Sequence, residues 1–397
     1  MSSSNKKLNF STLSIHTAKP SSDANENSTP IFLNSGYKFK DSQQASALFK
    51  EEIPGLIYSR YGNPNVIEFE QKMCALEGME AAFATSTGMG AITLAFSSFL
   101  KSGDHIVACR SLFGSSHQLI TKILPRWGIS YTYVDIEDIA NWEKAITPNT
   151  KILFLETPSN PGLDLVDLEF VAGLTKEHKL LFMVDNCFAS PYVQNPAKFG
   201  ADVVVHSATK IIDGQGRAMG GVVLCSQQLF DDNIKFMARH TGPIISPFNA
   251  WLLSKSLETL AVRLDRQCDS SLEIANRLEK NNQVKMVKYP FLNSHPQYQV
   301  ARKQMKKGGN LVTCELIGGI KRAIAFVDSL KMVTITANLG DSKTLITHPF
   351  LTTHAKLLPA ERARVNITDE LLRLSIGLED VDDIWQDINQ AIESTRV

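Results

Sequence analysis

Residues 180–186 read LLFMVDN, an uninterrupted apolar run that ends in an aspartate and an asparagine. Other short apolar runs occur at residues 106–109, 152–155 and 203–205, with helix-like stretches between them. Runs that are apolar throughout, rather than alternating, are typical of parallel strands buried on both faces. The pattern therefore predicts an α/β fold, a mostly parallel sheet flanked by helices.

The sequence around these runs divides into three parts. Upstream, Val66, Phe69, Met73 and Leu76 recur at helical spacing, and Gly78 follows as a suitable C-cap. Downstream, the pattern changes to amphipathic segments and alternating stretches, located near 251–264, 271–278, 311–316 and 371–376. We therefore expect an N-terminal arm at 1–62, a large domain at 63–255 and a smaller C-terminal α+β domain at 256–397.

Composition excludes several classes of protein. The chain has 397 residues, 43% of them hydrophobic, and its 41 Lys+Arg balance its 41 Asp+Glu. A neutral chain lacks the basic footprint that nucleic-acid binding needs. No apolar run approaches the roughly 18 residues of a membrane helix, and the polar N-terminus lacks the apolar core of a signal peptide. We expect a soluble cytoplasmic protein that binds neither nucleic acid nor membrane.

Cysteine and histidine spacing gives no sign of a metal centre. The six cysteines lie far apart with no CxxC pair, which predicts reduced, structural thiols. His348 and His354 are six residues apart, which is not the i, i+4 spacing of a helical metal site. We expect no metal.

Polar segments follow the predicted strands, and ligands bind where parallel strands end. The segments lie at 110–115 (RSLFGS), 156–161 (ETPSNP), 185–186 (DN) and 206–210 (HSATK). Residues 85–91 (TSTGMGA) open an apolar helix at 92–100 and suit a phosphate, although an ordinary capped helix start has the same pattern. The carboxyl edge of the sheet is therefore the candidate site.

Individual side chains at this edge have both a structural and a chemical interpretation. Asp185 directly follows an apolar run, so its charge needs a cation or strong hydrogen-bond donors. A ligand could supply them, and so could a structural salt bridge. Lys210, if partly desolvated, becomes a nucleophilic amine, and Phe113 is either a core residue or a ring that stacks on a ligand. Together they match pyridoxal phosphate, which requires a lysine, a carboxylate for its ring nitrogen and an anion site.

Six motifs resemble the Cys/Met-metabolism family of pyridoxal-phosphate enzymes and occur in the order typical of that family. They lie at 58–64 (YSRYGNP), 86–89 (STGM), 156–161 (ETPSNP), 184–186 (VDN), 206–210 (HSATK) and 372–379 (LRLSIGLE). Within the family, 111–115 (SLFGS), 246–251 (SPFNAW) and 335–341 (ITANLGD) most resemble the O-succinylhomoserine sulfhydrylases. The resemblance implies the fold-type I architecture and a homotetramer built from catalytic dimers.

The resemblance also implies a role for each motif residue. Lys210 would bind the cofactor aldehyde and move protons, and Asp185 would pair with the ring nitrogen. Arg373 would bind the substrate α-carboxylate, because its planar fork suits carboxylate oxygens, with Asn160 and Asn338 as polar neighbours. The phosphate would be held by Gly88, Met89, Ser207 and Thr209, joined by Tyr58 and Arg60 of the neighbouring subunit, so that the polar arm need not pack on its own subunit.

Three positions depart from the pattern of many relatives. Phe113 stands where many carry tyrosine, so it can stack on the cofactor but has no proton to give, and Lys210 would carry most of the acid–base work. Relatives that degrade methionine commonly have cysteine where Ser115 stands. Asn338 stands where many carry serine.

The expected reaction is γ-replacement on an activated homoserine ester, with sulfide or a thiol as the nucleophile. Sulfide would give homocysteine, and cysteine would give cystathionine. A cystathionine γ-synthase, a methionine or cystathionine γ-lyase, and a catalytically silent relative that binds the cofactor are the alternatives. A nucleotide-binding oxidoreductase is disfavoured because the chain lacks the glycine fingerprint of that class.

Overall fold

The computed structural model describes residues 8–18, 20, 22, 24–136, 138–355 and 358–396. Residues 1–7 of the predicted arm and residue 397 of the predicted C-terminal domain lie outside the described residues. Among the helices described, none has the length and hydropathy to cross a membrane.

The described residues form a seven-stranded sheet in the order β1-β7-β6-β5-β4-β2-β3. β7 runs antiparallel to both of its neighbours, and the other pairs are parallel. The predicted mostly parallel sheet is therefore confirmed. Its strands are β1 (Ala81–Thr85), β2 (His105–Cys109), β3 (Ser130–Val134), β4 (Thr150–Glu156), β5 (Leu181–Asp185), β6 (Val203–Ser207) and β7 (Gly221–Cys225).

Helices cover both faces of this sheet. Along β7, Val222 and Leu224 join one apolar cluster, and Val223 joins another. This alternation explains why the strands are apolar throughout. The helices up to residue 258 are α1 (Phe10–His16), α2 (Ser42–Phe49), α3 (Pro64–Glu77), α4 (Gly88–Phe99), α5 (Gly114–Gln118), α6 (Ile139–Lys144), α7 (Leu168–Glu177), α8 (Ser190–Val193), α9 (Gln227–Leu229), α10 (Lys235–Thr241) and α11 (Pro247–Glu258).

A second sheet follows, in which β10-β11-β12-β9-β8 is the strand order among the described residues. Ile274, Phe326 and Ile388 pack on it from three helices. The division at residue 255 stays a prediction. The elements are α12 (Leu260–Glu279), β8 (Val284–Lys288), α13 (Tyr298–Gln304), β9 (Leu311–Leu316), α14 (Gly319–Ser329), β10 (Thr334–Ile335), β11 (Leu345–Thr347), α15 (Pro359–Arg364), β12 (Leu371–Ser375) and α16 (Val381–Ser394).

Local sequence explains the elements that flank the site. α3 begins at Pro64 with Asn63 as its N-cap and ends at Gly78, whose φ of +79° favours glycine, as predicted. The amphipathic segment at 251–264 is not one helix, because α11 ends before Thr259 and α12 begins after it.

Parts of the N-terminal arm are anchored to their own chain, whereas Leu33 and Phe49 are 70% and 61% exposed. The contribution of the arm to a neighbouring subunit stays a prediction. Phe10 of α1 packs edge to face on Tyr192 with ring centroids 5.0 Å apart. Further along, Trp251 Nε1 donates to Thr29 O at 2.8 Å, and Phe32 N donates to Asn65 Oδ1 at 2.7 Å. Aromatic and amide side chains therefore fix the path of a segment that is polar in composition.

Candidate active site

A cavity of about 210 Å³ opens where the carboxyl ends of β1, β2, β4, β5 and β6 meet. Parallel strands present these ends at one edge of a sheet, which is where the sequence predicted a site. Most of the predicted site residues line this cavity, namely Gly88, Met89, Phe113, Asn160, Asp185, Ser207, Thr209, Lys210 and Arg373. The structure therefore brings together groups that lie far apart in the chain.

The start of α4 forms one wall of the cavity and suits an anion. Thr87 caps the helix, because its Oγ1 accepts from Gly90 N at 2.9 Å. A Cβ on Gly88 would lie 2.5 Å from the Ser207 Cβ, so only glycine allows this close approach. The helix N-terminus adds positive potential to the wall. The Ser207 hydroxyl has no protein partner among the described residues, which leaves it available to a ligand.

Lys210 lies at the end of β6 and points to the second sheet. Its Nζ donates to Asn338 Oδ1 at 2.7 Å. Burial lowers the pKa of Lys210 from its usual value. Desolvation thus favours the neutral amine, which is the nucleophilic form. Asn338, which precedes the β11 strand, therefore contacts the predicted nucleophile directly.

Asp185 and Glu156 are paired residues at the ends of the neighbouring strands β5 and β4. Both carboxyl groups are buried and line the cavity. Burial raises the pKa of Asp185 to about 6, although the hydrogen bond from Cys187 N lowers it. Burial and the charge of Asp185 raise the pKa of Glu156 well above its usual range. Such a site favours a cationic ligand beside Asp185.

Arg373 on β12 is 2% exposed and crosses from the second sheet to the cavity. Its Nη1 donates to Asn160 Oδ1 at 2.9 Å, and its Nη2 donates to the carbonyls of Ala337 and Asn338 at 3.3 and 3.2 Å. Its Nε has no partner among the described residues. Burial lowers the pKa of Arg373 to about 10, so the group stays charged at neutral pH. A ligand carboxylate would satisfy the remaining donor.

Phe113 lines the cavity, and a hydrogen bond from its backbone fixes its position. Its N–H donates to Glu156 Oε2 at 2.7 Å, at the start of α5. Because Glu156 ends β4, this hydrogen bond ties the loop after β2 to the sheet. The side chain that reaches the cavity is apolar and carries no titratable group.

Tyr58 and Arg60 do not line the cavity of their own chain. Tyr58 is exposed, and Arg60 stacks on Tyr61 with its Cζ 4.7 Å from the ring centroid. The Arg60 Nη1 also donates to the carbonyl of Arg239. Their predicted role at a neighbouring subunit's phosphate stays a prediction.

Sequence reasoning missed several cavity residues, of which Thr87, Glu156, Cys187 and Thr353 are polar. Glu156 belongs to a predicted motif but had no predicted role, although it ends an apolar run as Asp185 does. Cys187 directly follows the predicted Asp185–Asn186 pair, so its neighbours could have indicated it. Its thiol is not paired in a disulfide, and neither are those of the other five cysteines. Thr353 lies on a loop that no motif marked.

The burial of Asp185 predicts a pH-dependent stability of the cofactor-free protein. Its pKa rises from 3.8 to about 6 on folding, so the folded state binds the proton more tightly. That contribution is complete below pH 3.8 and is lost as the pH rises through about 6. The free energy of unfolding of Asp185→Asn minus that of the wild type should therefore increase by about 1–1.5 kcal/mol when the pH is raised from about 5 to about 7.5.

Urea unfolding of both cofactor-free proteins at the two pH values measures this difference. The amide that the substitution introduces does not titrate, so every group that does not sense the charge of Asp185 cancels in the comparison. Glu156 does sense it, so the same pair is also compared in a Glu156→Gln background. An equal stability difference at both pH values would contradict the prediction.

The geometry fits pyridoxal phosphate. The amine of Lys210, the buried carboxyl of Asp185 and the helix start at Gly88 line one cavity, which is the set of groups that this cofactor needs.

Comparisons with known proteins agree with this fit. A sequence profile described as "Cys/Met metabolism PLP-dependent enzyme" matches residues 11–393. The O-succinylhomoserine sulfhydrylase of Pseudomonas aeruginosa is 45% identical over 96% of this chain and 95% of its own. The L-methionine gamma-lyase of Treponema denticola is 38% identical over 98% of this chain and 97% of its own.

A solved structure extends the comparison to the fold and the cofactor. The putative O-acetylhomoserine (thiol)-lyase of Campylobacter jejuni, which contains N'-pyridoxyl-lysine-5'-monophosphate, superposes with a TM-score of 0.93. It is 33% identical, and the match covers 97% of this chain and 100% of that one. The fold is therefore that of the fold-type I pyridoxal-phosphate enzymes, and the chain belongs to the Cys/Met-metabolism family of PLP-dependent enzymes.

Proposed function

We propose that this enzyme catalyses γ-replacement on O-succinylhomoserine, in which sulfide displaces succinate to give homocysteine. Phe113 carries the proposal. It puts a ring without a hydroxyl on the cavity wall, where many related lyases have a tyrosine that can transfer protons. The 45% identity to an O-succinylhomoserine sulfhydrylase over nearly the whole chain supports the same activity.

Pyridoxal phosphate, when bound, supplies an electron sink for the negative charge that develops on the substrate. In our proposal Asp185 would keep the ring nitrogen protonated, and Gly88, Met89, Ser207 and Thr209 would hold the phosphate. Lys210 would hold the cofactor through its amine in the resting enzyme, and once the substrate amine has released it, the free Nζ would accept the Cα proton and return a proton to the product. Arg373 orients the substrate through its α-carboxylate, with Asn160 and Asn338 beside it.

We further propose that the enzyme is a cytoplasmic homotetramer built from catalytic dimers. In such a dimer Tyr58 and Arg60 would reach the phosphate of the neighbouring subunit. Their position outside the cavity of their own chain supports this arrangement. Arg60 is already oriented by Tyr61 and Arg239, which would reduce the entropy lost on binding.

A methionine γ-lyase is the second candidate function. The Treponema denticola relative at 38% identity supports it. Elimination shares the early proton transfers with replacement, so Lys210 and Arg373 would have the same tasks. The two functions differ in whether a nucleophile or water completes the reaction.

A substrate panel tests the proposal. The purified holoenzyme is incubated with O-succinylhomoserine, O-acetylhomoserine, cystathionine or methionine, each with and without sulfide or cysteine. We expect homocysteine from O-succinylhomoserine plus sulfide as the main product. Cystathionine as the main product would favour a cystathionine γ-synthase. Ammonia and a keto acid from methionine as the main activity would refute the proposal.

The role of Phe113 predicts the effect of a single added hydroxyl. We expect Phe113→Tyr to raise the ratio of keto acid to homocysteine about tenfold, because a phenol at this wall adds a proton donor. Phe113→Leu, which removes the ring without adding a donor, is the matched control and should not raise the ratio. The measurement is product analysis with O-succinylhomoserine and limiting sulfide. An unchanged ratio in the tyrosine variant would count against the argument from Phe113.

A further inference from the structure

A second space of about 430 Å³, here called the vestibule, adjoins the cavity. The two spaces share five lining residues, namely Phe113, Thr209, Lys210, Ala337 and Thr353. The vestibule is also lined by Arg217, Met219 and Asn338. A substrate whose reacting atoms lie at Lys210 can therefore extend into it.

The charge of the vestibule differs from that of the inner cavity. Glu156 and Asp185 line the inner cavity, whereas no carboxylate is among the described residues that line the vestibule. The Asp341 carboxylate approaches Gly216, where an added Cβ would be 2.7 Å from its Oδ2, but Asp341 itself does not line the vestibule. Since burial favours the neutral amine of Lys210, Arg217 is the permanent cation among the described residues that line the vestibule, so the space favours an anion.

Arg217 is held in a fixed orientation. Its Nε and Nη2 donate to Asp213 Oδ1 at 3.2 and 3.1 Å, and its Nη2 also donates to Ser256 Oγ at 2.6 Å. Its side chain is nevertheless 39% exposed, and its Nη1 has no partner among the described residues. A guanidinium that is anchored on one edge and open on the other is preorganised for a second carboxylate.

Asp213 does not cancel the charge of Arg217. Arg263, which is 5% exposed, also interacts electrostatically with Asp213. The hydrogen bonds of its Nη1 and Nη2 go to the backbone carbonyls of Ile211, Ile212 and Ser256 rather than to a carboxylate. One buried aspartate therefore serves two arginines, and the cluster keeps a net positive charge.

The proposed substrate has a matching second anion. O-succinylhomoserine carries one carboxylate at Cα and another at the far end of its acyl group, whereas O-acetylhomoserine lacks the second. With the α-carboxylate at Arg373 and the reacting atoms at Lys210, the vestibule remains for the acyl group. We propose that Arg217 binds the terminal carboxylate of the substrate's acyl group and so selects succinyl over acetyl esters. This inference rests on the proposed function.

A pair of unreactive analogues tests the inference without turnover. 2-Aminononanedioic acid has the chain length of O-succinylhomoserine with carboxylates at both ends but no leaving group. 2-Aminononanoic acid has a methyl group in place of the distal carboxylate. Their affinities for the holoenzyme are measured by calorimetry or by the change in cofactor absorbance. We expect the wild type to prefer the diacid, and Arg217→Gln to reduce that preference about tenfold.

Two further comparisons exclude a general effect of charge and a failure of Arg217→Gln to fold. Arg126→Gln removes the same charge from an exposed site outside the vestibule and should leave the preference unchanged. Met219 is 60% exposed on the vestibule wall, so Met219→Glu adds a negative charge without touching the Arg217–Asp213 pair. We expect Met219→Glu to weaken diacid binding and Met219→Gln to leave it nearly unchanged, even if Arg217→Gln does not fold.

The outcomes separate this inference from the proposed function. Equal affinity of the wild type for both analogues would overturn it, as would an unchanged preference in a folded Arg217→Gln variant or in Met219→Glu. The substrate panel judges the replacement reaction independently, because the analogues cannot undergo it. If the enzyme makes homocysteine from either ester but binds both analogues equally, the replacement reaction is supported and the proposed role of Arg217 is refuted.

Discussion

Lys210→Ala is expected to lose the visible absorbance of the bound cofactor and to lower kcat/KM by at least about 10³-fold. The variant removes the amine that we assign to both covalent cofactor binding and proton transfer. Since Lys210 makes its hydrogen bond to Asn338 rather than to a core residue, its loss should leave the fold intact. Circular dichroism would check that the helices and sheets remain.

Lys210→Arg separates the amine from its charge. A guanidinium keeps the positive charge but is not deprotonated in proteins, so it cannot act as the nucleophile or the base. We expect the same loss as in Lys210→Ala. Lys198→Ala, at an exposed lysine, is the matched control and should retain both signals. Wild-type absorbance and activity in either Lys210 variant would contradict the assignment.

Much of the sheet could be predicted because burial on both faces leaves a continuous apolar run. β2, β4, β5 and β6 each coincide with such a run to within a few residues. β1, β3 and β7 were not predicted. β1 reads AAFAT, and alanine is a weak strand former, so its burial pattern was hidden in the sequence. β7 follows a glycine-containing stretch and runs against its neighbours, which no local pattern indicates.

The candidate site could be predicted only in part, because its contacts join distant parts of the chain. Asp185 and Lys210 follow apolar strands, and that position alone marks them as site residues. By contrast, the Arg373–Asn160 hydrogen bond spans 213 residues, and the Lys210–Asn338 bond spans 128. The resemblance to the family supplied Arg373, Asn160 and Asn338, whereas spacing and composition could not.

Neither the sequence pattern nor the family resemblance indicated the vestibule. Arg217 is an exposed arginine in a polar loop, which a sequence reader takes as solvated surface. Its significance depends on Asp213 and Arg263, because the latter comes from α12 and shares the charge of the same aspartate. Charge balance of this kind depends on tertiary packing and is visible only in three dimensions.

Arg373→Lys is expected to lower kcat/KM for an amino-acid substrate by about 10²–10³-fold, mainly through KM. Lysine keeps the charge but loses the planar fork, and unpairing a buried charged contact costs about 2–5 kcal/mol. Arg373 also holds Asn160 and two backbone carbonyls, so part of the loss could arise from disturbed structure. Thermal unfolding of the holoenzyme measures that structural part.

A substrate analogue without the α-carboxylate separates the two contributions. In 3-aminopropyl succinate the amine and the ester are retained, but no carboxylate faces Arg373. If Arg373 binds the α-carboxylate, wild-type holoenzyme should bind the unreactive 2-aminononanedioic acid much more tightly than this amine, as measured by the cofactor absorbance. In Arg373→Lys the ratio of the two affinities should fall by about the same factor as kcat/KM. The substitution should leave binding of the amine unchanged, because the amine has no α-carboxylate for residue 373 to bind. A preference that survives the substitution would mean that another cation binds the α-carboxylate.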